Sequence, residues 1–147
     1  TLAGPTGERN VYTLVPRERV ACVAGTDADL LVQLAAVLAV GARAIWARQP
    51  GTAGLHARLP AAVREQIALV DALWAADTHF DAVLHHGDAT SLAIVTQRLA
   101  ERAGPIVGVS SSPAGSTAVA LERLVVERAL SINTAAAGGN ASLMTIG

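Results

Sequence analysis

The chain alternates between short apolar runs and longer segments whose apolar residues recur at helical spacing. The short runs are almost continuous in apolar side chains, which is typical of strands that are buried on both faces of a parallel sheet. They are bounded by glycine, aspartate or polar residues, which favours strands over fragments of buried helices. We predict strands at residues 20–24, 42–46, 66–70, 80–85 and 106–109.

Helices are predicted between these strands from capping residues and apolar spacing. Thr26 is followed three residues later by Asp29, as in a capping box, and an apolar stripe then runs to Gly41, which stands where a C-terminal capping glycine is expected. Asp88 is placed to cap a second helix, and a short third helix is predicted at residues 60–64. This order of elements predicts an α/β fold, a Rossmann-like parallel sheet with helices on both faces.

The two ends of the chain have a different pattern, in which polar and apolar residues alternate. Residues 10–15 and 124–132 show the two-residue period of strands with one apolar face, although residues 121–125 fit a helix equally well. We expect the two strands to pair in a β-flap beside the α/β unit. The free edges of such a flap invite a partner strand.

The composition is that of one folded domain with little charge. Of the 147 residues, 52% are hydrophobic and 16% are charged, and the formal net charge is −1. This balance disfavours contact with nucleic acid or with an anionic membrane surface. Lysine is absent, which excludes sites that need a lysine to form a Schiff base or to bind phosphate in a phosphate loop. The single cysteine, the short apolar runs and the lack of a signal peptide lead us to expect a cytoplasmic protein.

The turn after the first strand is where a Rossmann fold binds a dinucleotide. In this chain the turn, residues 24–29, has a single glycine and two carboxylates. Carboxylates at a helix N-terminus repel a pyrophosphate, so an ordinary capped helix is favoured over a nucleotide site. Weak nucleotide binding near Gly25, Gly87 and Ser110 is kept as the alternative.

Other reactive side chains have ordinary structural interpretations. Cys22 lies inside an apolar run, where a buried thiol is inert. His85 and His86 are adjacent in a predicted strand and should face opposite sides of the sheet, which disfavours a shared metal ion. Residues 110–113, Ser-Ser-Ser-Pro, are predicted to form a polar loop at the end of a strand, but no base is placed near them. We therefore predict no catalytic, cofactor-binding or metal-binding residue in this chain.

The last nineteen residues carry no charge and are the most distinctive part of the sequence. They contain a Gly-Gly-Asn turn at residues 138–140 and end in Ser-Leu-Met-Thr-Ile-Gly. A chain end is usually frayed and polar unless contacts hold it in place. An uncharged, apolar tail therefore indicates docking onto another surface.

Four segments give the chain a resemblance to a known family. They are residues 4–10 (GPTGERN), 34–41 (LAAVLAVG), 80–83 (FDAV) and, above all, 127–147, which ends in AAAGGNASLMTIG. Together they resemble the C-terminal region of long proline utilization A proteins. The resemblance covers essentially the whole chain, and the terminal motif is its most specific part.

This resemblance implies an aldehyde-dehydrogenase-superfamily domain without catalytic or cofactor-binding residues of its own. The family's parent chain joins an FAD-dependent proline dehydrogenase to an NAD-dependent glutamate-semialdehyde (pyrroline-5-carboxylate) dehydrogenase, so FAD and NAD would bind in other domains. The C-terminal domain would pack on the semialdehyde dehydrogenase domain of the same polypeptide and help to close the cavity that channels the intermediate. Residues 1–17 would then be the tail of the preceding dehydrogenase domain and a flap strand, residues 18–118 the Rossmann-like domain, and residues 119–147 the flap and docking motif.

The expected function is that of a non-catalytic lid in proline catabolism. The alternatives are a vestigial or weak NAD-binding domain and a pure dimerization module that forms homo-oligomers through the flap. We expect no contact of this segment with nucleic acid or membrane, although the parent in the resembled family can associate peripherally with the inner membrane. The residues expected to dock and to seal the cavity are Asn133, Thr134, Gly138, Gly139, Asn140, Leu143, Met144 and Ile146.

Overall fold

The computed structural model describes residues 8–133 of the chain. These residues belong to two compact units, a larger one formed by residues 16–125 and a smaller one formed by the chain on either side of it. Asn133 is the last residue of a strand, and only its backbone is described. The other predicted docking residues, from Thr134 onward, lie outside the described residues.

The described elements are seven strands, four α-helices and one 3-10 helix. The strands are β1 (Glu8–Pro16), β2 (Arg19–Ala24), β3 (Arg43–Ala47), β4 (Ile67–Val70), β5 (Ala82–His86), β6 (Gly108–Ser112) and β7 (Val125–Asn133). The helices are α1 (Asp27–Ala39), α2 (Pro50–Arg58), α3 (Ala61–Arg64) and α4 (Ala89–Ala100), and the 3-10 helix is Leu121–Leu124.

The larger unit is built on a five-stranded parallel sheet in the order β4-β3-β2-β5-β6. Successive residues of its strands point to opposite faces, and two separate apolar cores result. One core includes Val20, Leu84 and residues of α1 and α2, and the other includes Val83 and Val95 of α4. Helices therefore cover both faces, and the predicted Rossmann-like fold is confirmed.

The predicted caps explain where the two long helices begin. The Thr26 hydroxyl accepts a hydrogen bond from the backbone N–H of Asp29 at 3.1 Å, and the Asp88 carboxylate accepts one from Ser91 N–H at 2.8 Å. Each bond satisfies a backbone donor that the first turn of a helix leaves free. Gly41 has a φ of +81°, which an L side chain rarely adopts, so the chain turns there after α1.

The structure differs from the sequence prediction at two places in the larger unit. Helix α2 was not predicted, because Leu55 is its only buried residue and its sequence lacks an apolar stripe. The last strand was predicted as buried at residues 106–109, but β6 starts at Gly108 and lies at the sheet edge, and Ile106 is fully exposed. Residues 110–112 were predicted as part of a loop, but they belong to β6. Serines are tolerated there because β6 is an edge strand.

The smaller unit contains a two-stranded sheet formed by β1 and β7. Residues 121–124, for which the sequence left helix and strand open, form the 3-10 helix that precedes β7. Apolar side chains of both strands are exposed: Leu14 by 57%, Leu130 by 58% and Ile132 by 42%. Among the described residues, no helix combines the length and hydropathy that crossing a membrane requires.

Candidate functional site

The strand order reverses between β2 and β5, and open α/β sheets bind ligands beyond the carboxyl ends of the strands at such a point. In this chain the site is surrounded by the N-termini of α1 and α4 and by the loop that follows β6. Buried polar side chains are concentrated here: Asp29, Gln33, His85 and His86 are each less than 5% exposed. Their hydrogen bonds show whether these side chains are satisfied by the protein itself or are free to bind a ligand.

His85 lies on the α4 side of the sheet, between two serine hydroxyls. Its Nε2 is 3.0 Å from Ser91 Oγ and its Nδ1 is 2.9 Å from Ser111 Oγ. Ser91 Oγ donates its own proton to the Asp88 carbonyl at 2.9 Å, so it accepts from Nε2–H, and Nδ1 accepts from the Ser111 hydroxyl. Both ring nitrogens are thus satisfied in the neutral form. Burial lowers the pKa of His85 below its ordinary value of 6.5, and the neighbouring His86 adds to the lowering.

Gly87 allows this close approach of β5 and α4. A Cβ atom at residue 87 would lie 2.8 Å from His85 Nε2 and would also overlap Ser91 Oγ. Any larger residue would therefore displace the imidazole or the first turn of the helix. The sheet edge on this side is filled by the chain's own side chains.

His86 lies on the opposite, α1 side of the sheet, as the strand periodicity predicted. Its Nδ1 is 2.9 Å from Gln33 Nε2, which donates to it and also to the Val23 carbonyl at 3.0 Å. His86 Nε2 in turn donates to the Ser116 carbonyl at 3.0 Å. The histidine therefore connects the core of α1 to the loop after β6.

Asp29 fixes the same loop at the N-terminus of α1. Its Oδ1 accepts from the backbone N–H of Gly115 at 2.8 Å, and its Oδ2 accepts from the Thr26 hydroxyl at 2.9 Å. The N-terminus of this first helix is where a Rossmann fold holds a pyrophosphate. Here that position has a buried carboxylate and a peptide group of the loop, which is unfavourable for a dinucleotide.

The remaining candidates are the thiol of Cys22 and the side chains that could bind a metal ion. Cys22 is buried, and burial raises the pKa of its thiol to about 12, so the thiol stays protonated. In the part of the chain that the structure describes, no three or more His, Cys, Asp or Glu side chains are grouped as metal ligands. Trp46 is fully buried in the α1-side core, as expected of a packing residue.

Sequence reasoning missed Gln33 and the loop residues Gly115 and Ser116. Gln33 had a detectable signal, because it is a polar residue on the buried stripe of α1, next to Leu34 and Val37. The loop residues had none, since their contacts are made by backbone atoms. Asp29 was recognised as a helix-capping residue, but its bond to residue 115 spans 86 positions and has no local pattern.

No model of a protein family matches this sequence. The chain is, however, 53% identical over 146 residues to the bifunctional protein PutA of Salmonella typhimurium and 41% identical over 151 residues to that of Rhizobium meliloti. PutA stands for proline utilization A. The resemblance to this family that the sequence predicted is confirmed. Each match covers 99% of this chain but only 11% or 12% of the PutA relative, so the chain spans about one ninth of those proteins.

Solved structures agree on the fold. A PutA variant from Bradyrhizobium japonicum superposes on 76% of this chain with a TM-score of 0.61 and 23% identity, and the match covers 13% of that chain. The Δ1-pyrroline-5-carboxylate dehydrogenase of Mycobacterium tuberculosis, solved with NAD and cobalamin, superposes on 76% with a TM-score of 0.51 and 20% identity, and the match covers 24% of that chain. About three quarters of the chain thus shares its fold with parts of PutA and of a pyrroline-5-carboxylate dehydrogenase.

Proposed function

We propose that this chain is a non-catalytic C-terminal domain of a PutA-type enzyme that converts proline to glutamate. In this proposal it acts as a lid on the semialdehyde dehydrogenase domain of the same polypeptide. The lid would seal the cavity through which the semialdehyde passes between the two active sites. FAD and NAD would bind in the other domains of that enzyme.

The observation that carries the proposal is the closed carboxyl edge of the sheet. Asp29 and His86 hold the backbone of the loop after β6, and His85 is enclosed between two serines. A dinucleotide would have to break these bonds and leave a buried carboxylate and two buried imidazoles without partners, which is costly. A Rossmann-like unit with this edge is better suited to packing than to cofactor chemistry.

The smaller unit supports the packing role. A two-stranded ribbon by itself is marginally stable in water, and this one exposes Tyr12, Leu14, Leu130 and Ile132 on its strands. Burial of these side chains against a second surface would stabilise the ribbon. The uncharged tail of residues 134–147 has the composition expected of a segment that excludes water from a neighbouring cavity, and exclusion of water limits leakage of a reactive intermediate.

The test is the deletion of residues 138–147 from the full-length PutA protein. The deletion should introduce a lag and a lower rate in the coupled conversion of proline to glutamate, followed through NADH. Proline dehydrogenase activity measured with an artificial electron acceptor should stay at the wild-type level. A matched variant in which every residue of 138–147 that is not already glycine or serine is replaced by one of them keeps the length and should behave like the deletion. Unchanged coupled flux without a lag would contradict the proposal.

The exposed flap also favours a second candidate, a module that only dimerizes. Deletion of the flap would then change the sedimentation of the full-length protein without a lag in the coupled assay. A third alternative is a vestigial nucleotide site. Calorimetry of the 147-residue chain with NAD and NADH distinguishes it from the lid and from the dimerization module. The lid and the dimerization module predict no binding heat, whereas saturable binding would support the nucleotide site.

A further inference from the structure

A cleft of about 320 Å³ lies at the amino-terminal edge of the parallel sheet, opposite the closed carboxyl edge. It is bounded by the residues that precede β2, β5 and β6 and by the end of α4. Its wall contains two guanidinium groups, those of Arg17 and Arg102. Neither the closed edge nor the flap makes use of these groups.

Arg17 is held by carbonyl groups and not by a carboxylate. Its Nε donates to the Arg123 carbonyl at 3.1 Å and its Nη1 donates to the Asp81 carbonyl at 3.0 Å. The Asp81 carboxylate itself accepts from the backbone N–H groups of Glu18 and Arg19, both at 3.1 Å. The guanidinium plane of Arg17 is therefore fixed, while its charge is not balanced by an ion pair within the described residues.

Arg102 is also fixed without an ion pair in the described part of the chain. Its Nη2 donates to the Thr78 carbonyl at 2.7 Å, and its Cζ lies 4.1 Å from the centre of the Phe80 ring. Phe80 meets Trp74 edge to face at 6.3 Å. Nη1 of Arg102 is buried and lacks a hydrogen-bond partner among the described residues. A buried charged donor without an acceptor is unfavourable, so this guanidinium group is not fully satisfied by the described residues.

The rest of the lining sets the size and polarity of a ligand. Besides the two arginines, Asp81 and the exposed His79, the wall contains apolar residues, one of which, Ile106, is fully exposed. The apolar members are Ala76, Phe80, Ala103, Pro105, Ile106 and Val107. The cleft thus combines two ordered guanidinium groups with aliphatic walls. Guanidinium groups match the two oxygens of a carboxylate, and aliphatic walls match a short hydrocarbon body.

We propose that this cleft binds small aliphatic carboxylates, whose carboxylate group is held by Arg17 and Arg102 and whose hydrocarbon body packs on Ile106 and Val107. The proposal is independent of the lid function, because it concerns the opposite edge of the sheet. Inorganic phosphate shares the negative charge but has no hydrocarbon body. The ligand class is therefore decided by comparing the two.

The experiment is a titration of the ¹⁵N-labelled 147-residue chain at constant ionic strength with sodium butyrate, sodium acetate or inorganic phosphate. Butyrate should give saturable shifts of the Nε–H signals of Arg17 and Arg102, of the amides of residues 104–107 and of the Trp74 indole. Each buried methylene strengthens binding about 4-fold, and butyrate has two more than acetate, so butyrate should bind about 16-fold more tightly than acetate. Arg17→Gln should weaken butyrate binding by roughly 10-fold or more, because it removes a charged hydrogen-bond donor.

Two variants make the result specific. Arg98→Gln removes the same charge from an exposed position of α4 outside the cleft and should leave binding unchanged. Arg102→Lys keeps a cation near Phe80 but loses the forked donor geometry, and it should also weaken binding. Shifts that do not saturate, or that are equal in Arg17→Gln and Arg98→Gln, would overturn the site. Tighter binding of phosphate than of butyrate would overturn the assignment to aliphatic carboxylates.

Discussion

Gly87→Ala tests the packing of the closed carboxyl edge, because the change adds one methyl group to the most crowded glycine there. The new Cβ would lie 2.8 Å from His85 Nε2 and 2.9 Å from its Cε1, and it would overlap Ser91 Oγ. Overpacking of this kind costs about 1–3 kcal/mol. The lower backbone entropy of alanine in the unfolded chain offsets about 0.4–1 kcal/mol of that cost. We therefore expect a net loss of about 1–2 kcal/mol in the free energy of unfolding.

The measurement is thermal and urea unfolding of the 147-residue chain, followed by circular dichroism. A loss of this size should lower Tm by about 4–8 °C in a unit of this length. Gly108→Ala is the matched control, since it lies in the neighbouring strand and nothing lies within 4 Å of the added Cβ. The control should be neutral or slightly stabilising. If Gly87→Ala were as stable as Gly108→Ala, the edge would not be packed as described.

Two further predictions, one for Asp29 and one for His85, test the polar contacts of the same edge. Asp29→Ala leaves the N–H of Gly115 without its acceptor, so it should cost about 1–3 kcal/mol of unfolding free energy and speed hydrogen exchange at Gly115. Asp29→Asn keeps an acceptor and should cost less. Equal hydrogen exchange at Gly115 in the two variants would contradict the contact. The pKa of His85 is lowered in the folded chain, so below pH 6.5 its imidazole takes up a proton more readily in the unfolded chain. The free energy of unfolding should therefore fall as the pH drops through 6.5 and should be level above that pH. His85→Gln should flatten the pH dependence of stability in this range, and an unchanged slope would exclude His85 as its source.

The fold was largely predictable because its signals are local. Near-continuous apolar strands and the caps Thr26 and Asp88 depend on a few neighbouring residues, and the structure places these caps where the sequence predicted them. Helix α2 depends instead on Gln49 and Thr52, which form a capping box, and on a single buried leucine. A helix with so little apolar surface has a weak periodic signal.

The closed edge was predictable only in part, because its contacts join distant residues. The carboxylates in the first turn of α1 argued against a pyrophosphate, but the sequence does not show that Asp29 binds Gly115 or that His86 binds Ser116. The cleft of Arg17 and Arg102 was not predicted either. Its two arginines are 85 positions apart, counted from their residue numbers, and they line one cleft because the amino ends of β2, β5 and β6 share one edge of the sheet.

The central claim, that this chain is a lid on a channelling cavity and that its flap packs on the neighbouring domain, is tested most directly by the lag in NADH formation from proline in the full-length PutA protein. The double variant Leu14→Ser and Leu130→Ser removes two apolar side chains of the flap that are 57% and 58% exposed. Ile94→Ser is the matched control, because Ile94 is 57% exposed on α4 of the larger unit. We predict a lag in the flap variant and none in the control. The absence of a lag in the flap variant, or an equal lag in both proteins, would contradict the claim.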